Sequence, residues 1–305
     1  MFEGFTSVEI DTGMTRIFAR HAGSGPPVLL LHGFPETHLM WRDIAPRLAR
    51  THTVVCADLR GYGRSGCPDT TDDHAPYAKR VLAEDMLALM DRLGFRRFAV
   101  VGHDRGGRVA QRLALDAPDR IDALAVLDVI PVADVWDRAD DRLALAFWPW
   151  SLLAQPAPLP ETILMRCADA IVANAAANWG SANAIPEEVQ QEYVAMLQDA
   201  AHAHAVCEEY RAAASIDRDH DRHDQETGRK IACPTLVLWS AAGPLSAWYE
   251  REGGPLAIWR RWCSKATGRP VDGGHFFPEE RPAETAEALT AFMQNPKDIQ
   301  PNVKV

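Results

Sequence analysis

The 305-residue sequence lacks several features that would each define a class of protein. It contains no run of about 18 apolar residues, the length that a membrane-spanning helix needs, so we expect no membrane as a partner. Basic residues are outnumbered, because 42 acidic against 32 basic side chains give a formal net charge of -10. A nucleic-acid-binding protein needs a basic surface to displace counterions from phosphates. The composition therefore argues against both a membrane protein and a nucleic-acid-binding protein.

Cysteine is scarce, with six residues, and the six form no C-x-x-C pair and no pattern with histidine that is typical of zinc ligands. We therefore expect free thiols, no disulfide framework and no bound metal. Residues 1–13 also lack the basic and then apolar regions of a secretory signal. These absences together predict a cytoplasmic protein.

Short apolar runs alternate with a helical pattern over the first 130 residues. The runs predict strands, and the most apolar of them suit strands buried on both faces of a parallel sheet; they cover residues 15–22, 27–31, 53–57, 98–102 and 123–127. Residues 79–93 have apolar side chains at helical spacing, and Gly94 follows as a C-cap. Residues 107–117 predict a second helix. The order of strands and helices indicates an α/β protein.

The pattern changes between about residues 133 and 230, where helical segments rich in alanine, tryptophan and charge are interrupted by polar or proline-rich runs. One such interruption is the polar run at residues 217–230. The strand pattern returns at residues 234–239, and residues 282–293 predict a closing helix. We therefore expect a mostly parallel sheet flanked by helices, with residues 1–132 and 231–305 as the core and 133–230 as an inserted helical cap.

The most specific motif is VVGHDRGG at residues 100–107, which has the form G-x-nucleophile-x-G between a predicted strand and a predicted helix. This nucleophile elbow is typical of the α/β-hydrolase fold, and small residues must flank the nucleophile because the turn is so tight. Serine is the usual occupant, but here the position is Asp104. The alternative is that Asp104 merely caps the helix.

Two further residues would complete a catalytic triad. His275, in GGHFFPEE, lies near the C-terminus just before a helix, where the α/β-hydrolase fold places its catalytic histidine. The usual loop for the third member, WSAAGPLS from Trp239, contains no carboxylate. The other known placement follows the strand after the elbow helix, where Asp128 stands. We predict that Asp128 orients His275, with a role in a turn or cap as the alternative.

A carboxylate at the elbow indicates the reaction. A serine that displaced a leaving group from a tetrahedral carbon would form an ether, which water does not readily cleave. Asp104 would form an ester, and water activated by His275 can attack its carbonyl carbon. The HGFP motif at residues 32–35 predicts an oxyanion hole made by the backbone N–H groups of Phe34 and Arg105. Asp104 therefore predicts opening of a carbon–halogen bond or an epoxide rather than ester hydrolysis.

Arg105 and Arg108 lie three residues apart at the start of the elbow helix, so both guanidinium groups could face one pocket. Two such groups beside an anionic nucleophile would bind a carboxylate by bidentate hydrogen bonds. The pair predicts a small organic acid as substrate. The alternative is that these arginines pair with structural carboxylates.

The sequence resembles the fluoroacetate dehalogenases, also called haloacetate dehalogenases. Between about residues 30 and 290 it contains, in order, segments like those of that family: HGFPETHLMW, GHDRGGR, LAVLDVIP, WSLLAQPAPLPE, CEEYRA and GGHFFPEE. The resemblance implies a homodimer that hydrolyses a 2-haloacid to a 2-hydroxyacid and halide without metal or cofactor. It also implies that Trp150 and Tyr210, in the cap, donate hydrogen bonds to the departing halide.

One residue departs from that family's pattern. The fluoride-cleaving members carry a histidine immediately before the tryptophan, where this sequence has Pro149, which donates nothing. Fluoride depends most on hydrogen bonds as it leaves, and a hydrogen bond to a charged group contributes roughly 1.5 to 3 kcal/mol. We therefore expect chloroacetate and bromoacetate to be better substrates than fluoroacetate, unless Trp148 compensates.

Two other functions fit part of the pattern. An epoxide hydrolase would share HGFPE, the aspartate and the His/Asp pair, and would use two cap tyrosines, here Tyr193 and Tyr210. The arginine pair suits an acid better than an epoxide. A non-catalytic ligand-binding protein on this fold is the alternative of another class, since fold alone does not determine function. Such proteins typically lose a catalytic residue, and none is missing here.

Overall fold

The computed structural model describes residues 1–180 and 184–295. Its strands, in chain order, are β1 (Thr6–Asp11), β2 (Arg16–Ala22), β3 (Pro27–Leu31), β4 (Thr53–Ala57), β5 (Phe98–His103), β6 (Ile121–Leu127), β7 (Thr235–Ser240) and β8 (Ala266–Val271). The described residues form one eight-stranded sheet in the order β1-β2-β4-β3-β5-β6-β7-β8. The β1–β2 and β2–β4 pairs are antiparallel, and the pairs from β4 through β8 are parallel. The predicted α/β-hydrolase sheet is confirmed.

The core helices cover both faces of this sheet. Before the insertion they are α1 (Ala45–Leu48), α2 (Lys79–Arg92) and α3 (Asp104–Asp116). Successive residues of β3 enter two separate cores, because side chains alternate across a strand. Leu29 and Leu31 pack in the core that contains residues of α2 and α3, whereas Val28 and Leu30 pack with residues of α1 and of the C-terminal helix. This arrangement explains why the central strands are apolar throughout.

The two edge strands, β1 and β8, lack the continuous apolar sequence of the central strands. In β1 the sequence TSVEID alternates half-buried and exposed residues, and β8 contains Gly268 and Pro270. Proline cannot donate to a ladder and is therefore confined to the edges of sheets. Neither strand was predicted, because an edge strand buries too little surface to require an apolar sequence.

Between β6 and β7 the described elements are helices, apart from an isolated bridge that pairs Ile231 with Cys263. They are α4 (Val132–Asp137), α5 (Asp141–Ala146), α6 (Pro149–Leu152), α7 (Leu159–Trp179), α8 (Glu187–Gln198), α9 (Ala200–Ala214) and α10 (Ile216–Glu226). We call residues 132–226 the helical segment. Helices α11 (Pro244–Trp248), α12 (Gly254–Arg260), α13 (Phe277–Glu280) and α14 (Pro282–Gln294) complete the chain as described. The division into a core and a cap at residues 133 and 230 remains a prediction.

One local prediction in the helical segment was wrong. The polar run that begins at residue 217 does not interrupt the helices, because most of it forms α10. Three of its aspartates are buried: Asp217, Asp221 and Asp224. Asp217 lies 3.4 Å from Lys79 Nζ of α2, and Asp224 pairs with Arg112 of α3. Charged partners on the core therefore hold a helix that hydrophobic periodicity could not reveal.

Within residues 1–180 and 184–295, no helix is both long enough and apolar enough to cross a membrane. In the same part of the chain, no group of three or more His, Cys, Asp or Glu side chains is arranged to hold a metal ion. The six cysteines are free thiols.

Candidate active site

Asp104 lies at the sharp turn between β5 and α3. Its φ of 43° is in the left-handed region, which is uncommon for a residue other than glycine. The backbone around it leaves no space for larger side chains: a Cβ on Gly33 would lie 2.6 Å from Asp104 Cβ, and one on Gly106 would lie 2.5 Å from the His32 carbonyl oxygen. The turn therefore has the form of the predicted elbow, and it stores strain of the kind found at functional sites.

The sheet register brings the predicted triad together. His103 of β5 pairs with Leu127 of β6, so Asp104 and Asp128 leave the sheet side by side at its carboxyl edge. His275 follows β8 and lies 2.6 Å from Asp128, measured from Nδ1 to Oδ2. The other Asp128 oxygen accepts a hydrogen bond of 2.8 Å from the backbone N–H of Ser240. Asp128 thus fixes the ring of His275 and leaves Nε2 available for chemistry.

The backbone of His275 is held as well as its ring. Its N–H donates to the carbonyl oxygen of Trp179, at the end of α7, and its own carbonyl oxygen lies 2.9 Å from His103 Nε2. Trp179 and His103 were not among the predicted site residues. Neither carries a motif that could have revealed this role, because both contacts join residues far apart in the chain.

The Asp104 carboxylate is held at both oxygens. Oδ1 accepts from Arg108 Nη1 at 2.8 Å, and Oδ2 accepts from the backbone N–H of Phe34 at 3.2 Å. The structure describes no such bond from the backbone N–H of Arg105, the second predicted oxyanion donor. Burial alone would raise the Asp104 pKa, but Arg108, and after it His275, Arg105 and His103, hold it well below its usual range. Asp104 is therefore an anion at neutral pH.

Asp104 opens into a cavity of about 30 Å³ between the carboxyl edge of the sheet and the helical segment. The lining combines a few polar groups with an apolar wall: Phe34, Asp104, Arg108, Asp128, Val129, Ile130, Val135, Leu143, Phe147, Pro149, Trp150, Trp179, Tyr210, Leu245, Tyr249 and His275. The cavity suits a small ligand with one charged end.

The structure separates the two arginines of the predicted clamp. Arg108 lines the cavity, whereas Arg105 is fully buried behind it and is absent from the lining. Arg105 donates from Nε to Glu209 Oε1 at 3.1 Å and from Nη2 to the Glu209 carbonyl oxygen at 3.0 Å. Its Nη1 is buried without a partner among the described residues. Arg105 therefore has a structural carboxylate as its partner, and its role in binding substrate stays a prediction.

The residues predicted to bind halide meet at the same cavity. Trp150 of α6 and Tyr210 of α9 both line it, with their ring centroids 6.3 Å apart. The Arg108 guanidinium carbon lies 4.7 Å from the centre of the Trp150 ring. Burial raises the pKa of the Tyr210 hydroxyl, so it stays protonated and can donate a hydrogen bond. Pro149 also lines the cavity, and it supplies no donor there.

The positions of the tyrosines test part of the epoxide hydrolase alternative, which needs two of them at the cavity. Tyr193, one of the two predicted for that reaction, is fully buried and does not line the cavity. Tyr249 does line it, from the stretch between β7 and α12, and was not predicted. Its position depends on how the loop after β7 folds over the cavity, for which the sequence offers no signal.

The fold, the elbow and the His275–Asp128 pair define a class of protein. Residues 26–282 match the family model described as alpha/beta hydrolase fold. The chain therefore belongs to the alpha/beta-hydrolase family, and it is a hydrolase. Within the family it is 41% identical to the fluoroacetate dehalogenase of Burkholderia sp, over 97% of this chain and 96% of that protein. That match confirms the resemblance predicted from the sequence.

Other relatives have different names. The soluble epoxide hydrolase of Corynebacterium sp. (strain C12) is 31% identical over 89% of this chain and 91% of its own. A provisionally named epoxide hydrolase from Pseudomonas aeruginosa has a solved structure with a TM-score of 0.90 and 40% identity, covering 97% of both chains. A provisionally named alpha/beta hydrolase from Nostoc sp PCC 7120 has a TM-score of 0.91 and 43% identity, covering 96% of this chain and 99% of that one.

Proposed function

We propose that this hydrolase is a dehalogenase that converts small 2-haloacids, such as haloacetates, to 2-hydroxyacids and halide. The observation that carries the proposal is an ionised aspartate at the elbow, bonded to Arg108 in a cavity of about 30 Å³. An arginine at the cavity wall suits a substrate carboxylate. The similarity to a fluoroacetate dehalogenase over nearly the whole chain supports the same activity.

The first step is displacement of the halide. Asp104 Oδ2 is held by a backbone N–H that has no other task, whereas Oδ1 is held by Arg108, which the substrate carboxylate would engage. We therefore assign the attack on the α-carbon to Oδ1. The carbon–halogen bond breaks, the halide leaves with the electron pair, and an ester forms between Asp104 and the acid. Arg108 binds the substrate carboxylate at the cavity wall, and Arg105 is the predicted second donor through Nη1, its one nitrogen without a described partner. Trp150 and Tyr210 donate to the departing halide.

The second step is hydrolysis of that ester. His275 Nε2 takes a proton from water, and the hydroxide attacks Cγ of Asp104. Negative charge develops on Oδ2, which the Phe34 N–H already holds and to which the Arg105 N–H would add a second donor. The imidazolium of His275 is stabilised by Asp128 and returns a proton as the 2-hydroxyacid leaves. The product hydroxyl oxygen therefore comes from Asp104, and the water oxygen stays in the enzyme.

The substrate preference follows from Pro149. Because this residue lines the cavity beside Trp150 and cannot donate, fluoride would leave with less assistance than in an enzyme that has histidine there. We propose that chloroacetate and bromoacetate are better substrates than fluoroacetate. The small cavity supports small acids over bulky ones.

Four further parts of the proposal rest on the family resemblance and the sequence. Residues 133–230 act as a cap, two copies of the chain form a homodimer, catalysis needs no metal or organic cofactor, and the enzyme works in the cytoplasm. Sedimentation equilibrium tests the dimer, which requires twice the mass of one chain; a single-chain mass at micromolar concentration would contradict it.

Mass spectrometry of two variants tests the covalent step. After exposure to bromoacetate, His275→Asn should accumulate a carboxymethyl ester on Asp104, because formation of the ester does not need the histidine but its hydrolysis does. Asp104→Asn should carry no adduct at residue 104, whatever alkylation its free thiols undergo. In wild-type enzyme turned over once in labelled water, the isotope should appear first in the Asp104 peptide. Direct entry of the isotope into glycolate would overturn the mechanism.

An epoxide hydrolase is the second candidate, because two tyrosines, Tyr210 and Tyr249, line the cavity and could protonate an epoxide oxygen. The epoxide hydrolase relatives support it. Turnover of styrene oxide without halide release from any haloacetate would favour it. Binding of chloroacetate with neither reaction would instead favour the non-catalytic alternative.

A further inference from the structure

A buried row of charged side chains lies behind the elbow, outside the cavity. It consists of His103, Glu36, Glu279 and Arg42, each less than a tenth exposed. His103 precedes Asp104 in the chain, Glu36 follows the HGFP motif, and Glu279 lies in α13, just after His275. The triad and the cavity lining leave this row unexplained.

His103 must carry a positive charge to satisfy its contacts. Its Nδ1 lies 2.9 Å from Glu36 Oε2, and its Nε2 lies 2.9 Å from the carbonyl oxygen of His275. Both partners are acceptors. A neutral imidazole has only one N–H, so the two contacts together require the doubly protonated ring.

The two glutamates have one unsatisfied oxygen each. Glu36 Oε2 faces His103, and Glu279 Oε1 pairs with Arg42 Nη1. The remaining oxygens, Glu36 Oε1 and Glu279 Oε2, are buried with no hydrogen-bond donor among the described residues. The two carboxyl groups lie within hydrogen-bonding reach of each other. Two ionised carboxylates in that position would repel, whereas one proton between them satisfies both oxygens.

We propose that Glu36 and Glu279 hold one shared proton, and that this acid pair keeps His103 doubly protonated so that it positions His275 and Asp104. His103, Glu36 and Glu279 are then positioning residues, since none of them touches the substrate. The role in catalysis rests on the proposed function, but the protonation state of the row does not.

The direction of each titration agrees with this arrangement. Burial and then Glu36 raise the pKa of Glu279 well above its usual value, which places the proton on Glu279. Burial would raise the pKa of Glu36, but His103 lowers it below the ordinary value, so Glu36 is the anion. Burial would lower the pKa of His103, but Glu36, and after it Asp104 and Asp128, raise it to about 9.

Five other titratable groups interact with the row: His32, Tyr193, Asp104, Asp128 and His275. Asp43 pairs with Arg42 at 3.4 Å. His32 does not compete for the proton, because burial lowers its pKa and its Nε2 accepts from the Leu59 N–H. The Tyr193 hydroxyl is buried without a hydrogen-bond partner in the described part of the chain, and burial raises its pKa, so it stays neutral.

A pair of amide variants tests which glutamate carries the proton. In Glu279→Gln the amide can donate to Glu36 Oε1 and accept from Arg42, as the protonated acid does, so halide release should keep at least half of its wild-type kcat. In Glu36→Gln the anion beside His103 is gone, so kcat at pH 8 should be roughly tenfold below that of the wild type. The ratio of wild-type to variant kcat should shrink near pH 6, where His103 regains its proton. Glu284→Gln, at an exposed ion pair on α14, is the control.

Nitrogen NMR of histidine-labelled protein tests the row without any assay of activity. In the wild type, the His103 ring, assigned by its loss in His103→Gln, should be doubly protonated at pH 7.5 and titrate near 9 rather than near the ordinary value of about 6.5. Glu36→Gln should return it toward 6.5, and Glu279→Gln should not. A neutral His103 at pH 7.5, or equal shifts in the two variants, would overturn the proposal. Absence of haloacid turnover would overturn only the proposed function.

Discussion

The neighbours of Asp104 determine both its ionisation and the orientation of its carboxylate. Arg108 bonds one of its oxygens and Phe34 the other, so the carboxylate is ionised although it is buried. A bound haloacid would bring a second carboxylate to Arg108. Competition for that guanidinium would loosen its hold on Oδ1, the oxygen proposed to attack, at the moment when the substrate is in place. In the proposed mechanism, Arg108 would therefore act both in the resting enzyme and in the complex.

The two arginines should respond differently to the same substitution. Arg108→Gln should raise KM for chloroacetate about ten- to a hundredfold, because a charged hydrogen bond to the substrate is lost. Its loss of stability should be smaller than that of Arg105→Gln, because Asp104 opens into the cavity and keeps the Phe34 N–H as a donor. Arg105→Gln removes the charged hydrogen bonds from Arg105 to buried Glu209, which keeps Lys79 and Tyr62 as partners, and should reduce the free energy of unfolding by about 3 kcal/mol. Steady-state kinetics and urea denaturation measure the two effects. The reverse pattern, with stability lost at Arg108, would contradict this division.

Pro149 is the residue on which halide preference depends. Ion chromatography with three haloacetates should find bromide and chloride released faster than fluoride by the wild type. Pro149→His should raise fluoride release about tenfold, since the ring adds a donor at the cavity wall. Ser151→His adds a histidine on the exposed side of the same helix and serves as the control. Wild-type fluoride release as fast as chloride release would defeat the interpretation of Pro149.

Among the elements, α10 has the least predictable role. Its buried aspartates face α2, α3 and α4, so a helix with almost no apolar residues still attaches to the core. Of the three buried aspartates, Asp221 has the weakest partners for its charge. It accepts hydrogen bonds from the Ala133 N–H at 3.1 Å and from Gln111 at 3.3 Å, and no ion pair with it is described. Burial raises its pKa to about 7, although the Ala133 bond and Arg112 oppose the shift.

That shift predicts a pH dependence of stability. The folded-state pKa of Asp221 is raised above the unfolded value of 3.8, so its contribution is greatest below pH 4 and is lost as the pH rises to about 7. Relative to Asp221→Asn, the wild type should lose about 1.4 kcal/mol of unfolding free energy per pH unit across that range and change little above it. Urea denaturation at pH 4.5, 6 and 8 measures this, with exposed Asp219→Asn as the control. A constant difference at all three values would refute it.

On the scale of the whole molecule, the candidate site exists only where the helical segment meets the carboxyl edge of the sheet. Asp104, Asp128 and His275 come from the core, whereas Trp150, Trp179 and Tyr210 come from the helical segment. Trp179 also receives the backbone hydrogen bond of His275. The position of the helical segment therefore determines both the shape of the cavity and the setting of the histidine.

The amino-acid sequence alone determined the central strands, the elbow and the candidate triad. Each of these depends on a local pattern: an apolar run for a strand buried on both faces, small residues around Asp104 for a tight turn, and a place in the strand order for Asp128 and His275. The resemblance to the fluoroacetate dehalogenases extends over the same motifs, and it was confirmed.

Only the tertiary structure decided how the charged residues pair. Arg105 and Arg108 look alike in the sequence, yet Glu209 occupies one of them and leaves the other at the cavity. Glu36 and Glu279 meet from positions 243 residues apart in the chain, the difference between their numbers. A charged side chain can form an ion pair, share a proton with a neighbour or remain unpaired. The local sequence does not show which, because the partner lies far away in the chain. Burial makes that choice of partner decisive, because an unpaired charge away from water costs several kcal/mol.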